Sequence, residues 1–527
     1  MHLPHSQKNW PPPPLSRLRE WQLARLRRYL SETVLPFSSH YRAMFAREKL
    51  DVSSLRTFED LARIPFTTKR DFQPSAEKSD PVKDFVLVPD RQLLARRPST
   101  IARALLRGRA AVAEAFEREF RPLLLTSTTG RSAEPVPFLY TEHDIANLKL
   151  AGKRVMEVCG STREMRMINM FPYAPHLAYW ITHYAGTEFG VFVLGTGGGK
   201  VMGTEGNLRL TGKIKPDVII GMPTFLYHVL NEAVRDGFEL PNLKKIVLGG
   251  EKAPSGMRRK LRALATQLGA PKIDVLRTYG FTEAKLAWTE CPFSEDAGSA
   301  GYHIHPDLAL IEIVDPKTGE PRGEGEPGEI VFTPLNARGS VVLRYRTGDC
   351  VDGGLVYERC PFCGALVPRL VGEISRNSEI RELHIEKLKG TLVDFNQLEH
   401  VLDNLEHIGT WQIELRKRND DPLECDELIL HVEKKDNFEE TRLREMLAER
   451  FSSGLEVHPN RIEFHTVDEL RRKQGVGAQL KEQRIVDHRP GAANYGATTT
   501  VNRQADSPSR KVSSSTSTES FSKPEHA

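Results

Sequence analysis

The middle of the chain alternates between short apolar runs and longer segments with helical spacing. Between about residues 120 and 350, the apolar runs RPLLLTS, VFVLG, PDVIIGMP and KKIVLGG are separated by segments such as HDIANLKLAGKRVMEV. This alternation is typical of parallel strands that are joined by crossover helices. Each of these runs ends in Gly, Ser, Thr or Pro, so we expect a ligand site on the loops at the carboxyl edge of the sheet.

The two ends of the chain have different patterns. Apolar residues near helical spacing predict an N-terminal amphipathic helix that packs on the main body; they are Leu15, Leu18, Leu23, Leu26, Tyr29 and Leu30. Beyond about residue 380, WQIELRKR and ELILHVEKK have the pattern of half-exposed strands, and NFEETRLREMLAERF that of a helix, which predicts a smaller α+β domain. The polar stretch from about residue 490, with TTT and SSSTSTES, predicts a disordered tail.

Charge and composition exclude several classes of protein. The 527 residues include 74 Lys+Arg and 70 Asp+Glu, so the overall charge does not favour nucleic acid or an anionic membrane. The sequence has no apolar run of about 18 residues, and MHLPHSQKNWPPPP lacks the apolar stretch of a secretory signal. We therefore expect a cytoplasmic protein with neither nucleic acid nor membrane as a partner.

Four motifs carry the candidate chemistry. In PLLLTSTTG, at 122–130, an apolar strand runs into hydroxyl residues and a glycine, a composition that can bind phosphate oxygens. LGGE follows at 248–251, TYGFTE at 278–283 and RYRTGD at 344–349. In order and spacing these motifs resemble the adenylate-forming superfamily. The opening region SSHYRAMFAREKLDVSSLRTFEDLARIPFTTKRDF is similar to its phenylacetate–coenzyme A ligase branch.

The resemblance covers roughly residues 15–490 and implies the fold. It implies an α/β protein with a large N-terminal adenylate-forming domain of parallel-type sheets and helices, followed by a small mobile α+β C-terminal domain. We predict that residues 1–65 are the helical opening segment of the large domain. Residues 66–376 then bind ATP and the acid, residues 377–490 form the small domain, and residues 491–527 are the tail.

The resemblance also implies a role for residues in each motif. Tyr279 could stack on adenine, Thr282 could offer its hydroxyl to the phosphate as a catalytic residue, and Glu283 could bind catalytic Mg²⁺. Asp349 resembles the aspartate that accepts hydrogen bonds from both ribose hydroxyls. The predicted ATP-binding residues are Ser127, Thr128, Thr129, Gly130, Gly249, Gly250, Glu251, Tyr279, Gly280, Asp349 and Arg376.

A hinge and a catalytic lysine complete the resemblance. VGEISRNSEI (371–380) matches the hinge, where Arg376 could contact ribose or phosphate. The lysine of GVGAQLKEQRIVDHR, Lys481, would neutralise charge between the carboxylate and the α-phosphate, with Lys473 in RRKQG as the alternative. Ser127 and Leu480 stand where the family has glycines.

The cysteines indicate a metal site rather than disulfides. CPFCG at 360–364 is a C-x₂-C knuckle, which presents two thiolates to one tetrahedral ion. Some members of the branch have a similar arrangement, with a Cys and a His after YGxTE. The predicted ligands of a structural zinc are therefore Cys360, Cys363, Cys291 and His303, with His305 as the alternative to His303.

The resulting hypothesis is an AMP-forming acid–thiol ligase. With ATP and Mg²⁺ it would convert a carboxylic acid, for which the resemblance suggests an aryl acid, to an acyl-adenylate and then to a thioester of coenzyme A. FPYAPHLAYW (171–180) and GMPTFLYH (221–228) are the predicted acid pocket. Two alternatives stay open: an enzyme that loads a carrier protein or an amine, and a nucleotide-binding regulator that has lost the chemistry.

Overall fold

Helices and strands alternate through most of the chain. The computed structural model describes residues 14–74, 78–128, 135–293, 300–376, 380–385, 388–405, 407–420, 426–435, 438–454, 459–476 and 482–489. The helices are α1 Leu15–Tyr29, α2 Leu35–Phe37, α3 Ser39–Arg47, α4 Arg91–Ala95, α5 Pro98–Arg107, α6 Arg109–Phe120, α7 Glu142–Val158, α8 Leu177–Phe189, α9 Gly198–Ile214, α10 Pro223–Arg235, α11 Ser255–Gln267, α12 Phe395–Asp403, α13 Glu440–Gly454 and α14 Val467–Gln474. The strands are β1 Pro122–Ser127, β2 Pro137–Thr141, β3 Arg166–Pro172, β4 Phe192–Gly197, β5 Val218–Gly221, β6 Lys245–Leu248, β7 Asp274–Phe281, β8 Leu286–Thr289, β9 Tyr302–His303, β10 Ala309–Val314, β11 Gly328–Pro334, β12 Tyr345–Val351, β13 Leu355–Val356, β14 Arg369–Leu370, β15 Ile374–Arg376, β16 Ile380–Ile385, β17 Leu388–Asp394, β18 Ile408–Lys417, β19 Asp426–Lys434, β20 Arg461–His465 and β21 Ile485–Asp487.

The central element is a six-stranded sheet in the order β4-β3-β5-β6-β7-β8. Its strands are parallel except for β8, which pairs antiparallel with β7. Strands β5 and β6 are buried along their whole length, as expected for parallel strands with helices on both faces. The predicted parallel arrangement is thus confirmed for VFVLG, PDVIIGMP and KKIVLGG.

The prediction of a parallel strand is wrong for RPLLLTS. This segment forms β1, which pairs antiparallel with β2, so the two strands make a separate two-stranded sheet. The physical reason is that the next strand, PFLYT, follows after only a short connection. A short connection can join antiparallel strands, whereas parallel strands require a longer crossover. Ser127 still stands at the strand end that faces the cavity described below.

The N-terminal helices pack on a second part of the large domain. Leu18, Leu23 and Leu26 of α1 are buried, which confirms the predicted amphipathic helix. Leu23 and Leu26 share a core with the antiparallel sheet β10-β11-β12-β15, where Phe332 and Tyr345 are also buried. In the described part of the chain, no helix has both the length and the apolar character needed to cross a membrane.

The C-terminal domain has a sheet in the order β20-β19-β18-β21 and its own core. Trp411, Leu430 and Phe451 are buried in this core, and helix α13 confirms the helix predicted for NFEETRLREMLAERF. The prediction of half-exposed strands is wrong, because most residues of β18 and β19 are buried. Helices α12 and α14 both contact β18, so little of this strand is left to solvent.

Polar contacts join the C-terminal domain to the large domain. Arg471 of α14 pairs with Glu232 of α10 at 3.2 Å and donates to the Thr204 hydroxyl at 2.9 Å. Lys260 of α11 donates to the carbonyl oxygen of Gly409 at 2.6 Å, and burial lowers the pKa of this lysine to about 8.

Candidate active site and cysteine cluster

A cavity of about 500 Å³ opens at the carboxyl edge of the six-stranded sheet, where β5, β6 and β7 end. This is the edge at which ligands bind in open α/β sheets. The predicted site residues that line it are Thr128, Gly250, Glu251, Tyr279, Gly280, Thr282, Glu283, Asp349 and Arg376. Ser127 and Gly249 each precede a lining residue, whereas Thr129, Gly130 and Lys481 lie outside the described residues.

Asp349 is held from two sides. It stands opposite Arg376 in the pairing of β12 with β15, and Arg376 Nε lies 2.8 Å from Asp349 Oδ1. The Tyr279 hydroxyl, at the end of β7, donates to Asp349 Oδ2 at 3.0 Å. The carboxylate of Asp349 raises the pKa of the Arg376 guanidinium. Each carboxylate oxygen has further lone pairs, so the fixed carboxylate can also accept hydrogen bonds from a ligand.

Glu283 follows the same strand and is held by a second tyrosine. The Tyr345 hydroxyl, at the start of β12, donates to Glu283 Oε1 at 2.7 Å. Burial raises the pKa of Glu283, whereas the Tyr345 hydroxyl and the Arg376 charge lower it. The site therefore presents an oriented carboxylate oxygen, the ligand type that Mg²⁺ prefers.

The described end of the predicted phosphate loop is fixed by the backbone. The Thr128 hydroxyl accepts from Val136 N at 2.9 Å, while Thr128 N donates to the Val136 carbonyl at 3.0 Å. His176 Nδ1 lies 2.9 Å from the Ser127 carbonyl. Because a carbonyl only accepts, Nδ1 carries the proton. Nε2 of His176 is buried, and no residue of the described chain forms a hydrogen bond with it.

The LGGE segment forms a tight turn after β6. A Cβ on Gly249 would stand 2.3 Å from Thr278 Oγ1, and Gly250 has a positive φ of 78°. Both positions therefore favour glycine. The Thr224 hydroxyl donates to Glu251 Oε2 at 2.5 Å, which fixes the Glu251 carboxylate beside the start of α10.

Part of the cavity lining is apolar. This apolar wall is formed by Val155, Met156, Phe171, Tyr179, Ile181, Ala185, Ile220 and Met222. From the two segments predicted as an acid pocket, Phe171, Tyr179 and Met222 are in this wall, but Tyr173 is exposed and Phe225 is buried in the sheet core. Sequence pattern does not separate such core aromatics from lining aromatics, because both are apolar.

The segment after the predicted catalytic lysine reaches the cavity. Glu482, Arg484 and Ile485 line it together with the ATP motifs. Lys473 instead belongs to α14, where its charge acts on Glu414 and His465. Ser375 and Arg376 of the predicted hinge also line the cavity, and β15 ends at Arg376.

The four predicted zinc ligands lie together. Cys291, His303, Cys360 and Cys363 each offer one atom to a group in which all four atoms lie within 4.8 Å of one another. Cys291 Sγ is 3.7 Å from Cys360 Sγ, and Cys363 Sγ is 3.2 Å from His303 Nε2. Two sulfurs that each lie 2.3 Å from a tetrahedral zinc stand about 3.8 Å apart, so this set fits the ion.

The surroundings of the cluster favour His303 over His305. His303 Nδ1 lies 3.3 Å from the Thr289 carbonyl, which directs Nε2 to the sulfurs, whereas His305 Nε2 faces the Ala287 carbonyl at 3.2 Å. Contact with the sulfurs of Cys360 and Cys363 raises the pKa of the Cys291 thiol. Burial alone would lower the pKa of His303, but contacts with Cys360 and Cys363 raise it to about 9.

Sequence reasoning missed the residues that hold the site together. Tyr345 lies within RYRTGD, but no local signal indicates that it reaches Glu283. Arg277 of β7 contacts Glu290 at 2.7 Å and Glu373, within the predicted hinge segment, at 2.5 Å. A buried arginine that comes two residues before a site tyrosine in a strand is a signal that could have been used.

Comparisons with known proteins agree with the motifs. Residues 151–339 match the family described as AMP-binding enzyme. The phenylacetate-coenzyme A ligase of Thermus thermophilus is 28% identical over 475 residues, which are 89% of this chain and 91% of that protein. The Escherichia coli phenylacetate-coenzyme A ligase is 24% identical over 405 residues, 75% of this chain and 78% of that protein.

A solved structure of 2-hydroxyisobutyryl-CoA ligase in the postadenylation state, in complex with 2-HIB-AMP, has the same fold. It aligns with a TM-score of 0.70 and 18% identity over 91% of both chains. These matches support the adenylate-forming superfamily, and in particular its phenylacetate–coenzyme A ligase-like branch, as the family that this chain resembles.

Proposed function

We propose that the protein is an AMP-forming acid–coenzyme A ligase. In the first step a carboxylate oxygen attacks the α-phosphorus of ATP, and the bond to the bridging oxygen breaks to release pyrophosphate. In the second step the thiol of coenzyme A loses its proton and its sulfur attacks the carbonyl carbon, so that AMP leaves. The observation that carries the proposal is one cavity in which the ATP motifs adjoin an apolar wall.

The fixed side chains suit the first step. Asp349, held by Arg376 and Tyr279, would accept the ribose hydroxyls. Glu283 would hold Mg²⁺, whose charge offsets that of the phosphates, and Thr128 and Thr282 would donate hydroxyls to phosphate oxygens. Such preorganised groups need little rearrangement when charge develops in the transition state.

Lys481 remains our proposed catalytic lysine. The support for Lys481 is that Glu482 and Arg484, which follow it in the chain, line the cavity. Lys473 instead lies on α14, where its charge acts on His465 of β20. An ammonium group near the α-phosphate would neutralise charge in the first step. The domain boundary at residue 376 is likewise proposed as the hinge about which the small domain moves between the two steps.

The substrate we propose is an uncharged aryl acid. The wall formed by Met156, Phe171, Ile181 and Ile220 would bury a hydrocarbon group and stabilise it through the hydrophobic effect. The similarity to phenylacetate-coenzyme A ligases supports phenylacetate as the first candidate and coenzyme A, rather than a carrier protein, as the acceptor. A cytoplasmic location, where ATP and coenzyme A are available, belongs to the same proposal.

We also propose that Cys291, His303, Cys360 and Cys363 hold a structural zinc. The support is the fit of the sulfur and nitrogen positions to a tetrahedral ion. Four protein ligands would leave no place for a reacting water. The ion would therefore tie the segments behind TYGFTE and RYRTGD together, without taking part in the reaction.

Two assays test the function. ATP–pyrophosphate exchange with phenylacetate, benzoate and a short aliphatic acid measures the first step, and we expect the aryl acids to give the faster exchange. Product analysis with coenzyme A then measures the second step. Absence of exchange with every acid would favour the regulator hypothesis, whereas exchange without a thioester would point to a carrier protein or an amine as the acceptor.

A further inference from the structure

A second group of potential metal ligands lies in the C-terminal domain, away from the cysteine cluster. His431 is in β19, and Glu463 and His465 are in the neighbouring parallel strand β20. His431 stands opposite Glu463 in the register, and His465 follows Glu463 by two residues. Because side chains alternate between the faces of a sheet, the three side chains share one face.

The three ligand atoms form a small triangle. His431 Nδ1 is 2.9 Å from His465 Nε2 and 3.2 Å from Glu463 Oε2, and His465 Nε2 is 3.7 Å from Glu463 Oε2. A tetrahedral zinc with nitrogen and oxygen ligands at 2.0–2.2 Å separates neighbouring ligand atoms by about 3.3–3.6 Å. The three separations average about 3.3 Å, close to the edge of one face of such a coordination sphere, and the His431–His465 pair would have to move apart by about 0.4 Å to bind the ion.

The hydrogen bonding of His431 leaves an electron pair directed into this triangle. His431 Nε2 lies 2.9 Å from Glu414 Oε2, and since an ionised carboxylate only accepts, Nε2 carries the proton of the neutral ring. Nδ1 then has a lone pair, and this nitrogen lies 2.9 Å from His465 Nε2 and 3.2 Å from Glu463 Oε2. Without an ion, a proton on His465 Nε2 satisfies this lone pair and leaves the Glu463 oxygen beside it as a second acceptor, whereas one cation among the three atoms satisfies all of them. The Glu414–His431 contact is also the carboxylate–histidine arrangement found behind metal ligands.

The charges and exposure suit entry of a cation. His431 is buried, His465 is nearly so, and the Glu463 side chain is 40% exposed, so one side of the triangle is open to solvent. The carboxylates of Glu414 and Glu463 outnumber the single positive charge of Lys473 nearby. An ion held by three protein atoms could take a water molecule as its fourth ligand from this open side.

We propose that His431, His465 and Glu463 bind one divalent transition ion of the zinc class, with Glu414 orienting His431. Imidazole nitrogen and carboxylate oxygen suit zinc, nickel or cobalt better than calcium. The ion would join edge strand β20 to β19. Helix α14 begins directly after His465 and carries the Arg471 contact to Glu232, so the ion would also fix the base of this interdomain contact. The proposal does not depend on the ligase activity.

Metal titration of the full-length protein tests the site. We expect wild-type protein loaded with Zn²⁺ and then dialysed to retain two equivalents per chain, one in each cluster. His465→Gln should retain one equivalent, and Glu414→Gln should weaken this site by about 10- to 100-fold. His407→Gln is the matched control, because His407 lies in the same domain but stacks on Phe438 outside the triangle. This control should retain two equivalents.

Cobalt separates this site from the cysteine cluster. In Cys360→Ser protein loaded with Co²⁺ we expect visible bands without sulfur-to-cobalt charge transfer, and these bands should vanish when His465→Gln is added. If Cys360→Ser does not fold, Co²⁺-loaded wild-type protein is compared with the Co²⁺-loaded single variant His465→Gln. The variant should lose the bands of the His431 site, and its sulfur-to-cobalt charge-transfer band should equal that of wild-type. Equal metal content in wild-type and His465→Gln, or a protonated His431 that binds no metal, would overturn the proposal.

Discussion

Glu283 combines two demands that oppose each other. As our proposed Mg²⁺ ligand it must be ionised, yet burial raises the pKa of this carboxyl. The hydroxyl of Tyr345 at 2.7 Å and the positive charge of Arg376 offset part of that effect. We therefore expect the ionisation of Glu283 to depend on its neighbours as well as on pH.

Glu283→Gln should leave the fold intact, because glutamine has the same shape and keeps the contact with Tyr345. It should slow ATP–pyrophosphate exchange on the order of 100-fold, since a neutral amide oxygen binds Mg²⁺ poorly. The measurement is the exchange rate over a range of Mg²⁺ concentrations, with circular dichroism as the check on folding. A wild-type rate would contradict the assigned role.

Tyr345→Phe should shift the pH dependence of exchange. Loss of the hydroxyl removes a hydrogen bond to the ionised Glu283, so its pKa rises further above the ordinary value. Activity that requires the carboxylate falls as pH falls through this pKa, so the acid limb should move to higher pH. Tyr184→Phe is the control, because the Tyr184 ring, on α8, packs against Lys149 of α7 and not against Glu283. An unchanged acid limb in Tyr345→Phe would argue against the coupling.

Ile181 tests the proposed acid pocket. It lines the apolar wall from α8, so Ile181→Phe should reduce the space and Ile181→Ala should enlarge it. We expect the first variant to lower exchange with phenylacetate about 10-fold relative to a short aliphatic acid, and the second to spare phenylacetate. Equal selectivity in the three proteins would place the acid elsewhere.

At the scale of residues, the sequence indicated which side chains meet but not how they are held. Asp349, Glu283 and Tyr279 were predicted because each stands in a short motif that contains a glycine. The contacts from Tyr345 to Glu283 and from Tyr279 to Asp349 join residues 62 and 70 positions apart. β7 and β12 belong to different sheets, so these contacts depend on how the two sheets pack against each other, which sequence spacing alone does not define.

At the scale of elements, the apolar runs predicted most of the central sheet correctly. Strands β5 and β6 are buried on both faces, so their runs are continuous and easily found. β1 has an equally apolar sequence, yet Leu123 and Leu125 are exposed and the strand pairs with β2. An apolar run indicates a strand, but its partner depends on where the chain turns next.

The cysteine cluster is also a feature of elements, because it joins the segment after β8, strand β9 and the turn at residues 360–363. Cys360→Ser should lower the zinc content by about one equivalent and reduce the melting temperature by several degrees, with activity falling as a consequence. Elemental analysis and thermal unfolding measure both effects. Cys350→Ser is the control, since Cys350 lies in β12 outside the cluster. Protein without metal, purified in the absence of chelator, would contradict the zinc assignment.

At the scale of the whole molecule, polar contacts join the two domains, and our proposal requires these contacts to open between the two steps. The Arg471–Glu232 pair at 3.2 Å and the bond from Lys260 to the Gly409 carbonyl are polar, and interfaces of this kind permit relative domain motion. The Glu482 side chain approaches His228 of α10 to 3.6 Å. The segment after Lys481 is therefore against the large domain in this arrangement, as adenylation by that lysine would require.

Separate assays of the two steps test this view of the lysine. Lys481→Ala should abolish formation of the acyl-adenylate, because the first step would lose the cation near the α-phosphate. The same variant should still convert a supplied acyl-adenylate to the thioester, since the lysine would leave the site when the small domain moves. Lys473→Ala is the matched control and should keep both steps, because Lys473 lies on α14 beside His465. If Lys473→Ala loses adenylation while Lys481→Ala keeps it, Lys473 is the catalytic lysine. If Lys481→Ala loses both steps, Lys481 acts in thioester formation as well as in adenylation.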